Sequence, residues 1–359
     1  MDSMIVIPAL NPGSNLIEYV DRLRSHGYKN ILVVDDGSRA DCRFIFDEIE
    51  AKDGCEILRH EVNMGKGRAL KDAMTWFLDR YGAGAENQAP NGIITVDSDG
   101  QHIVEDVNKV AIAMKENPDS LILGARDFNT DNVPSKSRFG NKCTIVALKL
   151  FIGGDIHDTQ TGLRGIPVSM IERFSKLSGE RFEYETVMLI DAIHSGDKIT
   201  EVPIETVYIN DNSETHFNPI KDSIKIYKVI LGTFFKYMLS SLSSFVVDYG
   251  LFCGLFALLS RSSFTESRSI WLATVIARIC SSLFNYTINK KVVFKSNRGP
   301  VTLILYYCLC VVQMVASAAL VNLLNMAHFI PVQISKIIVD TLLFLISFRI
   351  QKSIIFKQS

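Results

Sequence analysis

The sequence lacks the cysteine spacing that would indicate a disulfide framework or a zinc site. Its seven cysteines are scattered and odd in number, and no two of them form a CxxC pair. This usage is typical of thiols that stay reduced in a cytosol. An excess of one charge is also missing, since 38 basic residues stand against 39 acidic ones. A protein that coats nucleic acid is therefore not expected.

Signals for secretion and for two common nucleotide sites are absent as well. The chain begins with the strand-like segment 4–10, MIVIPAL, without a basic n-region or a cleavage site, so we expect this end to stay in the cytosol. Residues 11–14, NPGS, do not supply the GxGxxG of a dinucleotide-binding turn, and GKG at 65–67 does not complete GxxxxGK[ST]. An ATPase or a dinucleotide-dependent enzyme is not favoured.

The composition changes near residue 230. Before it, strands alternate with helices and charges are frequent, whereas long apolar runs dominate after it. A chain of 359 residues is long enough for more than one domain. We predict an α/β domain at 1–216, an amphipathic juxtamembrane helix at 217–236, and an all-α transmembrane domain of four helices at 237–359.

The alternation in the first part predicts an open, mostly parallel sheet with helices on both faces. Ligands of such sheets bind beyond the carboxyl ends of the strands. Four polar segments fall at predicted strand ends, namely Asn11, Asp35-Asp36, Asn63–Gly65 and Asp97–Asp99. We expect them to meet at one edge of the sheet.

The segment GIITVDSDGQH (92–102) is the centre of this prediction. A buried strand runs into Asp97 and Asp99, and this i, i+2 spacing projects both carboxylates to one side of the sheet. The two charges repel, and a hard divalent ion, Mg²⁺ or Mn²⁺, would hold them, with Gln101 as a third oxygen ligand. An ordinary acidic turn is the alternative, because Asp and Gly are common turn residues.

Charged residues also open two predicted helices. Lys66 and Arg68 lie where a helix N-terminus can bind an anion, although a solvated first turn explains the same spacing equally well. Glu183 and Glu185 open the helix of RFEYETVML (181–189), where the helix dipole alone stabilises acidic side chains. Glu185 is nevertheless a candidate for orienting the sugar or the acceptor.

Six motifs follow one another along the first part: IPALN (7–11), VVDDGS (33–38), NMGKGRA (63–69), DSDGQ (97–101), GAR (124–126) and DTQTGLRG (158–165). Together they resemble the family 2 glycosyltransferases of the GT-A fold, in particular the polyprenol-phosphate sugar transferases similar to dolichol-phosphate mannosyltransferase. The resemblance covers about residues 4 to 210. Leu10 replaces a frequent Tyr and the loop after Asn11 lacks an acidic pair, which leaves UDP-hexose and GDP-mannose both open. The QxxRW signature of processive synthases is absent, so single-sugar transfer is favoured.

The resemblance implies a role for each matching residue. Those implied at the nucleotide sugar are Pro8, Ala9, Asn11, Asp36, Gly65, Lys66, Asp97 and Ser98. Those implied to hold the Mg²⁺ or Mn²⁺ ion on the diphosphate are Asp97, Asp99 and Gln101. Those implied to be catalytic, through the acceptor phosphate or the sugar, are Asp99, Arg126, Arg138, Asp158, Gln160 with the adjacent Thr161, and Glu185.

A lipid phosphate would suit this site as the acceptor. A phosphomonoester is already an anion near neutral pH, since its second pKa is about 6, so it needs no strong general base. It needs arginine, which pairs bidentately with phosphate and stays charged. Arg126 and Arg138 fit that need, although Arg138 lies in a basic run that also suits a solvated loop. The resemblance implies an inverting displacement.

The sequence after about residue 217 has the features of a membrane-bound region. Residues 218–237 alternate apolar and lysine positions and predict a basic amphipathic helix on an anionic leaflet. Four later segments, at 238–259, 270–289, 301–326 and 332–348, are long and apolar enough to span a bilayer. Two of them end in similar stretches, FNYTINKKVVF (284–294) and SFRIQKSIIF (347–356), which resemble a GtrA-like membrane domain and suggest a repeat of two helical hairpins.

Charges near the spans suggest their orientation. Lysine and arginine follow the second and fourth spans, which places both termini and the catalytic domain in the cytosol by the positive-inside rule, although Arg261 and Arg268 count against it. Asp248 and Arg278 lie near the centres of their spans, and we predict that they pair, because unpaired charge in lipid is costly. Snorkelling of Arg278 and Lys336 is the alternative.

These observations favour a multi-pass enzyme of the cell membrane that transfers one hexose from a nucleotide sugar to a polyprenyl phosphate, undecaprenyl or dolichyl, at the cytosolic face. The membrane domain could anchor the enzyme, dock the lipid or translocate it, and a homo-oligomer is left open. A lipid-linked sugar transporter with a nucleotide-sugar-sensing domain is the main alternative, but the intact acid pair argues against an inactive site. A nucleotidyltransferase would need a GxGTR-like loop, where this chain has ALNPGSN.

Overall fold

The structure is a computed structural model that describes residues 2–82, 89–127, 135–205, 221–261, 264–326 and 331–357. The chain divides into two compact units, Met1–Ile230 and Leu231–Ser359. The predicted boundary at residue 216 and the first residues of the predicted juxtamembrane helix lie outside the described ranges. That boundary therefore stays a prediction.

The first unit is built on a sheet whose described strands follow the order β3-β2-β1-β4-β6-β5-β7. The strands are β1 (Met4–Ala9), β2 (Ile31–Asp35), β3 (Cys55–Arg59), β4 (Gly92–Thr95), β5 (Ser120–Arg126), β6 (Arg164–Pro167) and β7 (Lys198–Ile204). Neighbours pair in parallel except at β6, which is antiparallel to both β4 and β5. The predicted mostly parallel sheet is confirmed, with one reversed strand inside it.

Helices cover both faces of this sheet. They are α1 (Asn15–Ser25), α2 (Arg43–Glu50), α3 (Lys66–Tyr81), α4 (Val104–Glu116), α5 (Ser135–Phe151), α6 (Val168–Ser175) and α7 (Glu183–Ser195). Buried residues of α1, α2 and α4 pack with Ile5 and Ile7 of β1, whereas those of α3, α6 and α7 pack with Met4 and Val6 on the opposite face. Both faces of β1 are therefore buried, which explains its continuous apolar sequence.

The strand register brings distant motifs to one edge. Because β1, β2 and β4 are parallel, their carboxyl ends lie at the same edge of the sheet. The antiparallel β6 pairs Arg164 with Thr95, at the carboxyl end of β4. The segment 158–163, which precedes β6, therefore arrives beside the residues that follow β4.

The second unit contains long helices. After residue 220 the described helices are α8 (Lys221–Leu259), which begins in the first unit, α9 (Glu266–Ile288), α10 (Val301–Met326) and α11 (Val332–Ile350). The predicted juxtamembrane helix and the first predicted span form one continuous helix, α8. Within the described ranges, α8 and α10 are long and apolar enough to cross a membrane by length and composition. The predicted number of four spans stays a prediction.

The two similar stretches at 284–294 and 347–356 have the same structure. Each α-helix passes into a π-helical turn, Asn289–Val293 after α9 and Gln351–Ile355 after α11. The buried side-chain amide of Asn289 donates to Gln351 Oε1 at 3.0 Å. The rings of Phe294 and Phe356, which follow the two turns, stack with centroids 5.5 Å apart. The predicted repeat of two hairpins is thus matched in the structure.

Within the same unit, the predicted ion pair between helices α8 and α9 is confirmed. Arg278 Nη2 lies 3.3 Å from Asp248 Oδ2, and Ser281 Oγ donates to the other carboxylate oxygen at 2.8 Å. Lys336 and Asp340 form a second pair within α11, with nitrogen and oxygen 3.0 Å apart. Both pairs combine opposite charges, as expected for charged groups on apolar helices.

Candidate active site

The loops after β1 and β2 are tied to each other. Asn11 adopts a left-handed backbone with φ of 49°, which Asn tolerates better than most residues. Its backbone N–H donates to Ser38 Oγ at 2.9 Å, and its side-chain oxygen accepts from the backbone N–H of Arg39 at 2.8 Å. Pro8 and Ala9 are buried within β1. The accessible part of this predicted nucleotide-binding motif therefore begins only after them.

Asp36 anchors the loop that precedes α3. Its carboxylate accepts from the backbone N–H groups of Met64 and Gly65, both at 2.8 Å. His60 Nδ1 lies 2.8 Å from the same carboxylate. Asp36 is itself buried, so its clearest role in this structure is to fix the glycine loop at the edge of the sheet. Its predicted contact with the nucleotide stays a prediction.

Asp97 contacts Lys66, His102 and the backbone of Gly162. Lys66 Nζ lies 2.5 Å from Asp97 Oδ1, and His102 Nε2 lies 3.6 Å from Oδ2. Burial alone would favour the neutral acid, but Lys66 and His102 hold the pKa of Asp97 well below its usual range. The backbone of Gly162 lies directly against the carboxylate, so that a β-carbon there would collide with it. Asp97 is therefore a fixed anion.

Glu185 joins the same cluster from the first turn of α7. Its carboxylate lies 3.0 Å from Lys66 Nζ, and its side chain is only 10% exposed. Burial works against a charged Lys66, but the carboxylates of Asp97 and Glu185 outweigh it and raise the pKa of the ammonium. The alternative of a solvated first helical turn is therefore wrong for Lys66. Glu185 likewise does more than complement a helix dipole.

Asp99 lies in a different electrostatic environment from Asp97. Burial and the neighbouring charge of Asp97 raise its pKa. Its Oδ1 accepts from the backbone N–H of Gln101 at 3.0 Å, and Ser98 occupies the turn between the two acids. The buried Tyr19 of α1 lies near enough that burial and both aspartates raise the pKa of its hydroxyl. The acid pair therefore carries more negative charge than Lys66 neutralises.

Arg126 and Asp158 form a second, separate ion pair. Asp158 is fully buried and accepts from Arg126 Nε at 2.6 Å and from Nη2 at 3.0 Å. The same carboxylate accepts from the backbone N–H of Gln160 at 3.0 Å, while the side chain of Gln160 is exposed. Asp158 thus fixes the direction of the Arg126 guanidinium. The structure therefore brings together three predicted residues: the side chains of Arg126 and Asp158 form an ion pair, and Gln160 contacts Asp158 through its backbone.

A buried arginine, which the sequence analysis gave no role, links the pair to the acid cluster. Arg164 donates from Nη1 to the backbone oxygen of Glu185 at 2.6 Å and from Nε to that of Thr161 at 2.9 Å. Burial lowers the pKa of Arg164, and the nearby charges of Glu185, Asp158 and Asp97 oppose this effect without outweighing it. Its position within DTQTGLRG was the available signal. Arg164 therefore connects β6 to the start of α7, where Glu185 lies.

Arg138 lies on α5, Ser135–Phe151. It is half-buried on α5, and residues 128–134, which connect it to β5, lie outside the described ranges. Its assignment to a phosphate stays a prediction. His102 and Gly162 had no predicted role, although both belong to or adjoin the quoted motifs and both contact Asp97.

The acid pair has the chemistry to hold a hard divalent ion. Asp97 and Asp99 provide carboxylate oxygens, the ligands that Mg²⁺ and Mn²⁺ prefer. The raised pKa of Asp99 shows that additional positive charge would be stabilised there. No cluster of three acidic, histidine or cysteine side chains suited to a metal occurs among the described residues. A bound ion would therefore take most of its ligands from substrate or water, as Mg²⁺ commonly does.

Each part of the chain matches a known protein family. Residues 4–174 match the model of glycosyl transferase family 2, and residues 225–356 match that of the GtrA/DPMS transmembrane domain. An uncharacterised protein of Methanocaldococcus jannaschii is 32% identical over 64% of this chain and 92% of its own length. The UDP-N-acetylglucosamine–dolichyl-phosphate N-acetylglucosaminyltransferase of Methanococcus voltae is 30% identical over 57% of this chain and 85% of its own. A dolichyl-phosphate beta-glucosyltransferase of Trichomonas vaginalis is 24% identical over 62% of this chain and 71% of its own length.

The first unit has the GT-A-like α/β fold that the motifs predicted, and a helical region follows it. The chain belongs to glycosyl transferase family 2 and is a glycosyltransferase that carries a GtrA/DPMS transmembrane domain. The resemblance predicted from the six motifs is confirmed.

Proposed function

We propose that this enzyme transfers a single hexose from a UDP- or GDP-linked sugar to a polyprenyl phosphate of the dolichyl type. The observation that carries the proposal is the meeting of Asp97, Asp99, Lys66 and Glu185 at one edge of the sheet, on a chain that also has a transmembrane domain. Two similar proteins bear names that include dolichyl phosphate. A membrane-borne acceptor explains why both parts occur in one chain.

The donor would bind at the edge formed by the loops after β1, β2 and β4. Asn11 and Gly65 would border the nucleoside, and Asp97 and Asp99 would hold Mg²⁺ or Mn²⁺ beside the diphosphate. Such an ion offsets the negative charge of a departing diphosphate. The chain itself fixes the Asp97 carboxylate, because the backbone of Gly162 and the ring of His102 lie against it.

The acceptor would be oriented by Arg126, with Arg138 as a second cation. Asp158 fixes the guanidinium of Arg126 through two hydrogen bonds, so the arginine presents its charge in one direction. In the proposed step an acceptor phosphate oxygen bonds to the anomeric carbon while the bond from that carbon to the diphosphate breaks. The nucleoside diphosphate leaves with the electron pair, and no proton transfer to a strong base is needed. A single in-line displacement of this kind inverts the anomeric centre.

The proposed location follows from charge in the sequence. Basic residues after the second and fourth predicted spans favour a cytosolic catalytic unit and cytosolic termini in a multi-pass protein. The acceptor phosphate would then be met at the cytosolic surface of the bilayer.

The direct test is transfer of labelled sugar to lipid. The full chain, in detergent or nanodiscs, is incubated with dolichyl phosphate, Mg²⁺ or Mn²⁺, and radiolabelled UDP-N-acetylglucosamine, UDP-glucose or GDP-mannose. We expect one donor to give an extractable, acid-labile lipid product, and Asp99→Asn or chelator to abolish it. Absence of labelled lipid with every donor, or full turnover of Asp99→Asn in chelator, would overturn the proposal. Release of free nucleoside diphosphate distinguishes transfer from a transporter that only senses the donor.

A further inference from the structure

Lys66 occupies a position between two carboxylates that belong to different elements. Its ammonium lies 2.5 Å from Asp97 Oδ1, at the end of β4, and 3.0 Å from Glu185 Oε1, in the first turn of α7. The Lys66 side chain is 15% exposed, compared with 29% for Asp97 and 10% for Glu185. Lys66 therefore already contacts one oxygen of a residue to which we assign the divalent ion.

The backbone holds this lysine close to both partners. Gly65 has a φ of +101°, and a β-carbon at Gly67 would collide with the side chain of Tyr184. The N-terminus of α3 consequently lies directly against the start of α7. The backbone N–H of Arg68 donates to the backbone oxygen of Glu180 at 3.0 Å. Because the Lys66 ammonium contacts both carboxylates at once, a change of its side-chain torsions would be enough for it to leave Asp97 and keep Glu185.

The charges around Lys66 are unequal. Lys66 and the buried Arg164 provide two positive charges near the three negative charges of Asp97, Asp99 and Glu185. Lys66 contacts Asp97 and Glu185, and the charge of Asp99 is left to be balanced from elsewhere. A divalent ion that bound here would have to share Asp97 with an ammonium already beside it. Like charges at such short range repel strongly.

We propose that Lys66 is an exchangeable counter-cation of Asp97. It neutralises Asp97 before the donor binds, and it yields that carboxylate and stays on Glu185 when the donor is bound. Glu185 is thus a positioning residue that acts through Lys66. This inference rests on the proposed function, because it places the divalent ion at Asp97 and Asp99. It predicts that the ion alone binds weakly and that a nucleoside diphosphate strengthens its binding.

The test measures Mn²⁺ binding to the full-length protein in detergent, without substrate, through the electron paramagnetic resonance signal of free Mn²⁺. We expect Lys66→Met to bind Mn²⁺ more tightly than the wild type, on the order of tenfold. Lys66→Gln serves as a second uncharged variant if the methionine protein folds poorly. Lys71→Met is the matched control, since it removes another buried lysine of α3, whose partner is Glu180 at 2.7 Å. It should leave the Mn²⁺ affinity unchanged.

Glu185→Gln separates a positioning role from a simple charge effect. In the wild-type background it should weaken Mn²⁺ binding, because Lys66 then has only Asp97 as its carboxylate partner. In the Lys66→Met background the same substitution should have almost no effect, and an equal weakening in both backgrounds would overturn the positioning role. Unchanged affinity in both Lys66 variants, with binding lost in Asp99→Asn, would overturn the counter-cation while the proposed function stands. Full Mn²⁺ binding by Asp99→Asn would instead remove the metal site and with it the proposed function.

Discussion

The backbone of Gly162 lies against the carboxylate of Asp97, so close that a β-carbon at Gly162 would overlap both carboxylate oxygens. This contact joins two motifs that are about 60 residues apart in sequence, and it follows from the antiparallel pairing of β6 with β4, in which Thr95 faces Arg164. Thr95 Oγ1 also donates to the backbone oxygen of Gly162 at 2.8 Å. The position of the central carboxylate is therefore set from both sides.

Gly162→Ala should displace Asp97 and lower turnover. A new methyl group in a packed site typically destabilises by about 1–3 kcal/mol, and a 1 Å displacement of a reacting group can lower the rate by roughly 100-fold. We expect kcat to fall by at least about tenfold, measured as labelled lipid product at saturating donor. Gly140→Ala, where no atom lies within 4 Å of the added carbon, is the control and should retain activity. Normal turnover in Gly162→Ala would show that Asp97 does not need this position.

Asp97→Asn and Asp99→Asn should change the thermal stability of the metal-free enzyme in opposite directions. At pH 7.5 in chelator, Asp99→Asn removes a charge that the fold disfavours, and we expect Tm to rise by roughly 2–4 °C, equivalent to about 1 kcal/mol. Asp97→Asn leaves Lys66 without one of its partners, and we expect a loss of about 2–4 kcal/mol. The measurement is unfolding of the detergent-solubilised protein followed by intrinsic fluorescence.

The pH dependence of these two effects should also differ. The pKa of Asp99 is raised in the fold, so the wild-type carboxyl takes up its proton as pH falls toward that value, and the advantage of Asp99→Asn should shrink before pH reaches the ordinary aspartate pKa. The pKa of Asp97 is lowered, so its stabilisation is present above the ordinary aspartate pKa and is lost only when pH falls through the lower folded value. Asp97→Asn should therefore remain destabilising throughout pH 5–8. An Asp99→Asn advantage that stays constant down to the ordinary aspartate pKa would contradict the raised pKa.

Arg126 and Asp158 should act as one unit in acceptor binding. Arg126→Lys keeps the charge but cannot form the two-point pair, and we expect the KM for polyprenyl phosphate to rise about tenfold while the KM for the donor changes little. Asp158→Asn should have a similar effect because the guanidinium loses its orienting partner. The double variant should be no worse than the poorer single variant. Additive losses would indicate that the two side chains act independently.

The pair between Asp248 and Arg278 should be required for assembly of the membrane unit. Asp248→Asn or Arg278→Gln leaves the other charge without its partner at 3.3 Å, and we expect the yield of monodisperse protein to fall severalfold. The exchanged variant, Asp248→Arg with Arg278→Asp, should recover much of that yield. Fluorescence-detected size-exclusion chromatography of a tagged chain measures it. Lack of any recovery would show that the attraction between the two charges is not what matters.

Much of the first unit could be predicted from its hydrophobic pattern. The strand-like segment 4–10 is β1, Met4–Ala9, and the buried residues of α1, Asn15–Ser25, have helical spacing in the sequence, namely Leu16, Tyr19, Val20 and Leu23. β1 is buried on both faces, so its sequence is continuously apolar, whereas α1 is buried on one face, so its apolar residues recur with the helical period. The short β6 gave no such signal, because Arg164–Pro167 contains a buried charge and a proline and is a strand through its pairing with β4 and β5.

The candidate site was less predictable than the sheet. That the carboxyl ends of β1, β2 and β4 share an edge follows from parallel order, and this much was expected. The contact of Lys66 with Glu185 was not, since it joins residues far apart in sequence and depends on the close packing of Gly67 on Tyr184. The sequence spacing describes each helix start separately. It therefore suggested a solvated turn for Lys66 and a helix-dipole effect for Glu185, whereas in the structure the two side chains belong to one cluster.

The hydrogen bond between Asn289 and Gln351 connects the two hairpins of the membrane unit at their matching π-helical turns. Each amide has this partner in the other hairpin, and a buried amide that loses its partner destabilises by about 1–3 kcal/mol. Asn285 also accepts a hydrogen bond from Asn289, and Tyr237 and Ser347 also accept from Gln351. Substitution of either amide should therefore loosen both hairpins at once.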